Sequence, residues 1–535
     1  MTATKLRLRQ VDADARPLPL GEDAISIGRH PANSIPIADE KASRKHCLIE
    51  ADPNGGFRVR DLGSRNGTRL NGIGIDRSPI APGDIIQVGD TEFVIEESIA
   101  AAQASSNGDG STPPWVEDME KVCKALEPTD LHFPPIRLLS ADGQPSSAVE
   151  SDAHGPRAVR LALQIASKAR ATDLHIEPRT EAVQIRMRVD GQMVWIGDIP
   201  KPVGDRFIGL VKNVCQLQTS AADAVLDGHF SARFDDRRVE YRASFTPTMQ
   251  GPKLVIRVLD SRDIPTSVTE LGLAPYMEER IRRVCTLSQG MLLVCGPTGS
   301  GKTTTLYNCL RAVDREKKNV ITIEDPVEYH LEGCTQIPIN EQRGNTFHSL
   351  LRSCLRQDPD VILLGEVRDD ETARTAMQAA MTGHLVFSTV HAKDTISAVF
   401  RLLDLKVEPY LVANALDLIL AQRLVRTLCN RCQRDVPVTP GQATRIGKYL
   451  GGKSKVYAPV GCKACLRTGY RGRQALFELL EFNDDLRDVI LTDQSIQGMR
   501  KIIDQGLFTT LLQSGWKLAA EGHTSLEEVD AVCGG

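Results

Sequence analysis

No stretch of these 535 residues approaches the ~20 consecutive apolar positions that a bilayer-spanning helix requires, and the longest apolar run, 410–421, is interrupted by Asp417. The opening residues MTATKLRLRQVDADARPLPL lack the apolar centre of a secretory signal. Neither sign of charge dominates. Lys and Arg number 65 against 69 Asp and Glu, a formal charge of −4, which excludes a chain that coats nucleic acid along its length. A repeat of fixed period is also missing. Thirteen cysteines without an export signal point to a reducing compartment, where clustered thiols bind metal more often than they pair. The chain is therefore expected to be cytoplasmic.

Against these absences stand 41% hydrophobic and 25% charged residues, ordinary for a globular protein. At ~150 residues per domain the length suggests three or four domains. Residues 98–114, SIAAAQASSNGDGSTPP, cannot bury a core and read as a linker. Before it, short alternating runs around 5–11, 57–60 and 93–95 are punctuated by Asn54-Gly55, Asn66-Gly67, Asn71-Gly72 and Pro82-Gly83, the pattern of a β-sandwich. Residues 115–149 show no clear period. From Pro156 an apolar helical pattern leads into strands such as 183–189.

The sequence GPTGSGKT (296–303) fits the phosphate-binding pattern G-x-x-x-x-G-K-[ST]. Gly296, Pro297, Thr298, Gly299, Ser300 and Gly301 would wrap phosphates with backbone N–H groups, and Thr304 continues the cradle. Lys302 would neutralise the β/γ charge and Thr303 would offer its hydroxyl to Mg²⁺. A buried strand (291–295) precedes the loop and a helix (303–313) follows, which places a positive helix end at the phosphates. Two further apolar runs end in acids, 320–325 in Glu324 and Asp325, and 361–366 in Glu366. Carboxylates at such strand ends hold Mg²⁺ or polarise water.

Cys429-Asn-Arg-Cys432 and Cys462-Lys-Ala-Cys465 are two C-x-x-C pairs, 29 residues apart. Together they can close a tetrahedral Zn²⁺ shell with no open position, a structural rather than catalytic site. A redox disulfide would need only one such pair.

The blocks ITIEDPVEY (321–329), LRSCLRQDPDVILLGEVRDDETA (351–373), TGHLVFSTVHAKD (382–394) and AQRLVRTLC (421–429) resemble the secretion ATPase superfamily, which powers type II secretion and type IV pilus assembly. ATDLHIEP (171–178) and RASFTPTMQGPKLVIR (242–257) resemble the domain that precedes its motor core. The resemblance covers roughly residues 150–535. It implies that Glu324 lies in an aspartate box, Glu366 in a Walker B box, and His384 with His391 in a histidine box that senses nucleotide at the sheet edge. It leaves open which Glu polarises the attacking water. It further implies a homo-hexamer in which Arg242 and Arg257 reach the γ-phosphate across a subunit boundary, while Arg352 and Arg356, one helical turn apart, line the same pocket. The family usually shows Gly-Glu where this chain has Gly251-Pro252, so the turn presenting Arg257 is expected to differ. The cysteine-bearing insertion resembles that of assembly and secretion motors rather than retraction motors.

In the first hundred residues, Gly28-Arg29, Ser43-Arg44-Lys45-His46 and Leu62-Gly-Ser64-Arg65-Asn66-Gly67-Thr68 follow the order and spacing of a forkhead-associated (FHA) domain, a phosphothreonine reader. Arg29, Ser43 and Arg65 would satisfy the phosphate, Arg44 and Ser64 would join them in holding the phosphopeptide, Asn66 would bracket the peptide backbone, and His46 is a scaffold residue. A domain that docks without reading phosphate is the alternative.

The resulting layout is a β-sandwich (1–97), a linker and unpatterned segment (98–149), an α+β domain (150–262), and an α/β RecA-like P-loop core (263–428). A tetracysteine zinc module (429–475) and a helical C-terminal subdomain (476–535) complete it. The expected activity is ATP hydrolysis with Mg²⁺, coupled to secretion or pilus assembly. The expected partners are an inner-membrane platform and a threonine-phosphorylated protein. A retraction or DNA-transfer motor and an ATP-binding scaffold are the competing expectations. Between 422 and 473 twelve Lys or Arg meet one acid, Asp435, so this stretch is expected to face acidic loops of the membrane platform or anionic lipid of the inner leaflet.

Overall fold

Alternation in the first hundred residues resolves into two facing sheets. One runs Leu18–Pro19, Leu6–Gln10, Thr91–Glu97, Ile85–Val88, Thr68–Leu70, Ile73–Ile75, and the other Ile35–Pro36, Ile25–Gly28, Cys47–Ala51, Phe57–Asp61, Arg77–Ile80. Leu8, Ile86 and Phe93 from the first meet Ile27, Ile49 and Val59 from the second in one core. This is the expected sandwich. The computed structural model describes every residue except 1–5, 12–17, 22, 38, 53–55, 81–83, 98–111, 127–135, 219–223, 235–236, 261, 263 and 535. The expected linker lies almost wholly outside the described residues, as do two of the four turn dipeptides. The chain forms two compact units, 1–261 with 461–469, and 262–460 with 470–535.

In the first unit an eight-stranded sheet follows the sandwich. Its order is Pro145–Ser146, Arg137–Leu139, Leu226–Arg233, Arg238–Thr246, Lys253–Leu259, Ala171–Pro178, Ala182–Val189, Gln192–Pro200. The helix His154–Ala169, buried all round from Leu161 to Ser167, and one side of Lys201–Val214 pack into its core. Residues 115–149, unpatterned by sequence, also join this domain. The helix Pro114–Ala125 sends Trp115, Val116, Met119 and Cys123 into the same core, and Arg137–Leu139 pairs with Leu226–Arg233. Pro252 stands just before the strand Lys253–Leu259, where its missing N–H breaks no ladder bond. Arg257 pairs with Arg242 in regular register despite the unusual turn.

The second unit is built on a seven-stranded sheet ordered Thr335–Pro338, Val320–Glu324, Val361–Leu364, Leu385–Val390, Gly290–Cys295, Leu416–Leu428, Tyr470–Glu481. All neighbours are parallel except the last pair. The helix Lys302–Ala312 and Pro275–Cys285 cover one face, and Phe347–Cys354, Asp370–Met381 and Thr395–Asp404 the other. Strands buried on both faces need continuous apolar runs, which is why 291–295 and 361–364 lack alternation. The expected boundary at 475/476 falls inside the strand Tyr470–Glu481, so the helical portion starts only at Asp484. Within that strand Glu478 is buried, accepting from Thr395 N (2.9 Å), Thr395 Oγ1 (2.7 Å) and Leu511 N (3.2 Å), and so ties two helix starts to the sheet. Burial pushes its carboxyl up, and those three donors oppose the shift. Among the described residues no helix is long and apolar enough to cross a membrane.

Candidate functional site

The parallel strands bring the chemistry-bearing residues to one edge, because each run that ends in a functional residue ends at the carboxyl side of the sheet. The loop 296–301 leaves Gly290–Cys295 and enters the helix Lys302–Ala312. Its glycines are sterically required at two points. Gly296 has φ 154° and a Cβ there would lie 2.5 Å from Gln422 O, while Gly301 has φ 87° and its Cβ would lie 2.8 Å from Gln422 Nε2. Gln422, which the sequence did not single out, thus backs the loop, and its Oε1 accepts from Thr305 Oγ1 at 2.7 Å. Lys302 Nζ donates to Gly296 O (3.0 Å) and Pro297 O (3.1 Å), so the ammonium already lies inside the loop. Burial pulls its pKa down and the Glu366 charge opposes that. The Ser300 hydroxyl is buried without a partner, a polar atom that a phosphate oxygen would satisfy.

Glu366 stands one residue beyond Gly365 after its strand, its side chain 15% exposed. It pairs with Arg368 through Oε1 and with His391 Nε2 through Oε2 at 3.4 Å. Arg368 also reaches Asp325 at 3.8 Å and so joins the acids of two strand ends. The Glu366 hydrogen bond raises the Arg368 pKa. Sequence reasoning missed Arg368, whose only signal was its place two residues after the strand-end Glu. His384 requires a correction. It precedes the strand Leu385–Val390 whereas His391 follows it. At about 3.3 Å per residue the two histidines are roughly 23 Å apart, at opposite ends of the sheet. His384 Nδ1 instead meets Ala379 O at 3.1 Å, so only His391 belongs to the acidic edge. Arg352 and Arg356 are exposed at the end of Phe347–Cys354, on the face away from the P-loop helix, and Arg356 Nη1 donates back to Arg352 O at 2.7 Å.

A cavity of about 460 Å³ opens beside this edge, lined among others by Leu273, Tyr276, Gln474, Phe477, Lys517 and His523. Gln422, which contacts the P-loop, pairs with Phe477 in this cavity's wall, and Gln474 pairs with Val425 three residues further on. At about 3.3 Å per residue those three steps are ~10 Å, the reach from a nucleotide's phosphates to its base.

In the first unit Arg242 and Arg257 face each other on adjacent strands, in a cross-strand row His229, Arg242, Arg257, Asp173, Arg188. Residues paired directly across a sheet share a face, so this row is one polar surface. Arg257 Nε donates to Asp173 Oδ1 at 3.2 Å, yet the Arg257 side chain stays 66% exposed. A cavity of about 580 Å³ lies over the row. Further along the same sheet, Glu177 accepts from Arg186 and Lys253. Burial works against its ionisation, but these cations prevail and hold its carboxyl down at about 2.

The thiol sulfurs of Cys429, Cys432, Cys462 and Cys465 lie within 4.8 Å of one another, and none is in a disulfide. Cys462 Sγ and Cys465 Sγ are 3.7 Å apart. Tetrahedral Zn–S bonds of about 2.3 Å place sulfurs about 3.8 Å apart, so the spacing fits a shared ion. Cys465 Sγ also accepts from Cys462 N (3.2 Å) and Gly469 N (3.3 Å), which fixes its place in the turn. The cations of 422–473 are less available than their number implied. Arg426 is tied to Glu528, Arg445 to Asp530 and Lys455 to Asp435.

On the sandwich, Gly28 lets two loops close up, since a Cβ there would lie 2.6 Å from Arg44 O. Arg29 N then bonds Ser43 O at 3.0 Å, and Ser43 Oγ accepts from Arg65 N at 3.0 Å, joining the three predicted loops. The guanidinium groups of Arg29, Arg44 and Arg65 belong to exposed residues. Fully buried His46 accepts from Ser43 N (3.0 Å) and contacts Gly67 O (3.2 Å), as a scaffold residue would. Asn66 Nδ2 donates to Lys41 O at 2.7 Å. Ser64 is committed elsewhere: its N and Oγ both donate to Asp61, at 2.8 and 2.6 Å, which places it under the loop rather than in the phosphate cluster. Asn33, missed by sequence reasoning, donates to His30 O and Arg44 O and pins the Arg44 loop.

Residues 149–531 match the family of type II/IV secretion system proteins and residues 25–89 match FHA domains. Type II secretion system protein E of Pectobacterium carotovorum subsp. carotovorum is 39% identical over 383 residues, 72% of this chain and 76% of that one. The type IV pilus assembly ATPase PilB of Thermus thermophilus is 40% identical over 363 residues, 67% of this chain and 41% of that one. Among solved structures, the ATPase DotB of Yersinia pseudotuberculosis superposes with a TM-score of 0.55 at 20% identity, over 72% of this chain and 94% of that one, a likeness of fold.

Proposed function

The chain belongs to the family of type II/IV secretion system proteins and carries an FHA domain ahead of the family's ATPase portion, and from that membership we propose that it is the cytoplasmic motor of a type II secretion or type IV pilus assembly machine. It is an ATPase. The observation that carries the motor reading is the sheet edge where Lys302, Glu324, Glu366 and His391 follow parallel strands. Thr303 and Glu366 would hold Mg²⁺, since Glu366 is the acid whose charge acts on Lys302. Glu324 would work on the attacking water, and the cavity beside Gln474 would take the base. The motor runs as a homo-hexamer against an inner-membrane platform, with Arg242 and Arg257 of one subunit completing the site of the next. The FHA domain subordinates it to a threonine-phosphorylated partner. The segment 422–473 would meet anionic lipid with its charge reduced, because three of its cations already hold carboxylates.

Mixing two inactive variants tests the shared site. Lys302→Ala and Arg257→Ala should each lose at least ~99% of turnover alone. In a ring with head-to-tail contacts, an equimolar mixture should recover about a quarter of wild-type turnover, because some sites combine an intact P-loop with an intact arginine. A mixture as inactive as its components would refute the trans-acting arginine.

The four-cysteine cluster is read as a structural zinc site. Metal analysis of the purified chain should find about one zinc per chain, and Cys462→Ser should bring it near zero. Iron in its place, or no metal with the cysteines oxidised in pairs, would overturn the zinc assignment.

A further inference from the structure

Glu324 ends its strand only 3% exposed, and its carboxylate is met by three donors. Thr322 Oγ1 donates to Oε1 at 2.5 Å, Gln336 Nε2 donates to the same oxygen at 3.3 Å, and the Tyr307 phenol donates to Oε2. These donors come from three elements. Thr322 shares the strand of Glu324, Gln336 lies on the neighbouring edge strand Thr335–Pro338, and Tyr307 lies on the P-loop helix itself. The donors are themselves fixed. Gln336 Oε1 accepts from Leu331 N at 2.7 Å, and its Nε2 also meets Tyr307 Oη (3.3 Å) and Tyr329 O (3.2 Å). Tyr329 packs edge-on against the Tyr307 ring, with centroids 4.7 Å apart. Tyr307 is fully buried, so the phenol has no solvent alternative to this carboxylate.

A carboxylate offers about four acceptor positions. Thr322 and Gln336 fill those of Oε1 and Tyr307 fills one of Oε2, which leaves a single position, beside the phenol. We infer that Tyr307 is a positioning residue for ATP hydrolysis, fixing Glu324 so that only one lone pair of Oε2 is offered to a water at the carboxyl edge of the sheet. Because Tyr307 is on the helix that begins at Lys302, the same rigid element grips the phosphates and aims the carboxylate. Movement of the P-loop helix on nucleotide binding is thereby transmitted to the water-orienting group without an intervening loop. This rests on the proposal that Glu324 is the carboxylate that acts on water.

The test is a double-mutant cycle in the assembled full-length ATPase, with kcat, KM and ATP affinity measured separately. Tyr307→Phe, which removes one oxygen, should lower kcat about tenfold and leave KM and ATP affinity within about twofold. Thr322→Val, which removes a donor from the other oxygen, should do the same and guards against a folding defect confined to the Tyr307 variant. In a Glu324→Gln background Tyr307→Phe should add no further loss. An equal loss in both backgrounds would make Tyr307 merely structural and overturn the inference. A Tyr307→Phe enzyme with wild-type kcat beside an inactive Glu324→Gln would overturn it too, while sparing the role of Glu324. Full activity of Glu324→Gln would instead remove the premise, and the inference with it.

Discussion

Glu366→Gln should lower steady-state ATP turnover by about three orders of magnitude while leaving ATP affinity within about threefold. The side chain is nearly isosteric, and the strand that presents it, Val361–Leu364, is buried on both faces, so the fold has no reason to change. What changes is charge. Glu366 sits between Arg368 and His391 and acts on Lys302, so it is the anion among three basic groups. In the proposed site an amide could neither hold Mg²⁺ with a full charge nor balance the Lys302 ammonium. Binding persists because the backbone of 296–303 and the helix end remain intact. A coupled-enzyme assay on the full-length protein, with a fluorescent nucleotide titration alongside, separates the two effects. Turnover by Glu366→Gln within about tenfold of wild type would remove Glu366 from the reaction.

The P-loop, the two acidic strand ends, the cysteine pairs and the sandwich loops were legible because each is local. Gly296 and Gly301 are needed where a Cβ would strike Gln422, and a C-x-x-C turn can only be written with its own four residues. Partners supplied by other strands were not legible. Gln422 behind the P-loop, Asp173 beside Arg257 and Tyr307 on Glu324 are brought together by sheet register or helix packing, which no short window records. One error was avoidable. The strand between His384 and His391 is long enough to separate them by the length of the sheet. The spacing of Trp115, Val116, Met119 and Cys123 is helical, but it follows two prolines and the charged Glu117, Asp118, Glu120 and Lys121 interrupt it, so this segment showed no clear period. Ser64 shows a different limit. Its position in the motif suggested a phosphopeptide contact, yet Asp61, three residues earlier, takes both its N–H and its hydroxyl.

That assignment sharpens what the sandwich should do. With Ser64 tied to Asp61, the donors left for a phosphate are the Arg29, Arg44 and Arg65 guanidiniums and the Ser43 hydroxyl, which can still donate while accepting from Arg65 N. Phosphothreonine carries close to two charges, and losing one charge-assisted pair costs about 2–4 kcal/mol, or roughly 30- to 1000-fold in affinity. The Arg29 backbone is clamped to Ser43 O beside the close approach at Gly28, which fixes where its side chain leaves the loop. Arg29→Ala in the full chain should therefore weaken a phosphothreonine peptide by about 100-fold, whereas Ser64→Ala should weaken it no more than about threefold. Fluorescence anisotropy with labelled phosphorylated and unphosphorylated peptides measures both. The unphosphorylated peptide should bind wild type no better than the phosphorylated one binds Arg29→Ala. Equal binding of the two peptides to wild type would leave the sandwich as a docking module indifferent to phosphate. A large loss with Ser64→Ala alone would mean that Asp61 releases Ser64 on peptide binding, which the paired bonds to its N–H and hydroxyl argue against.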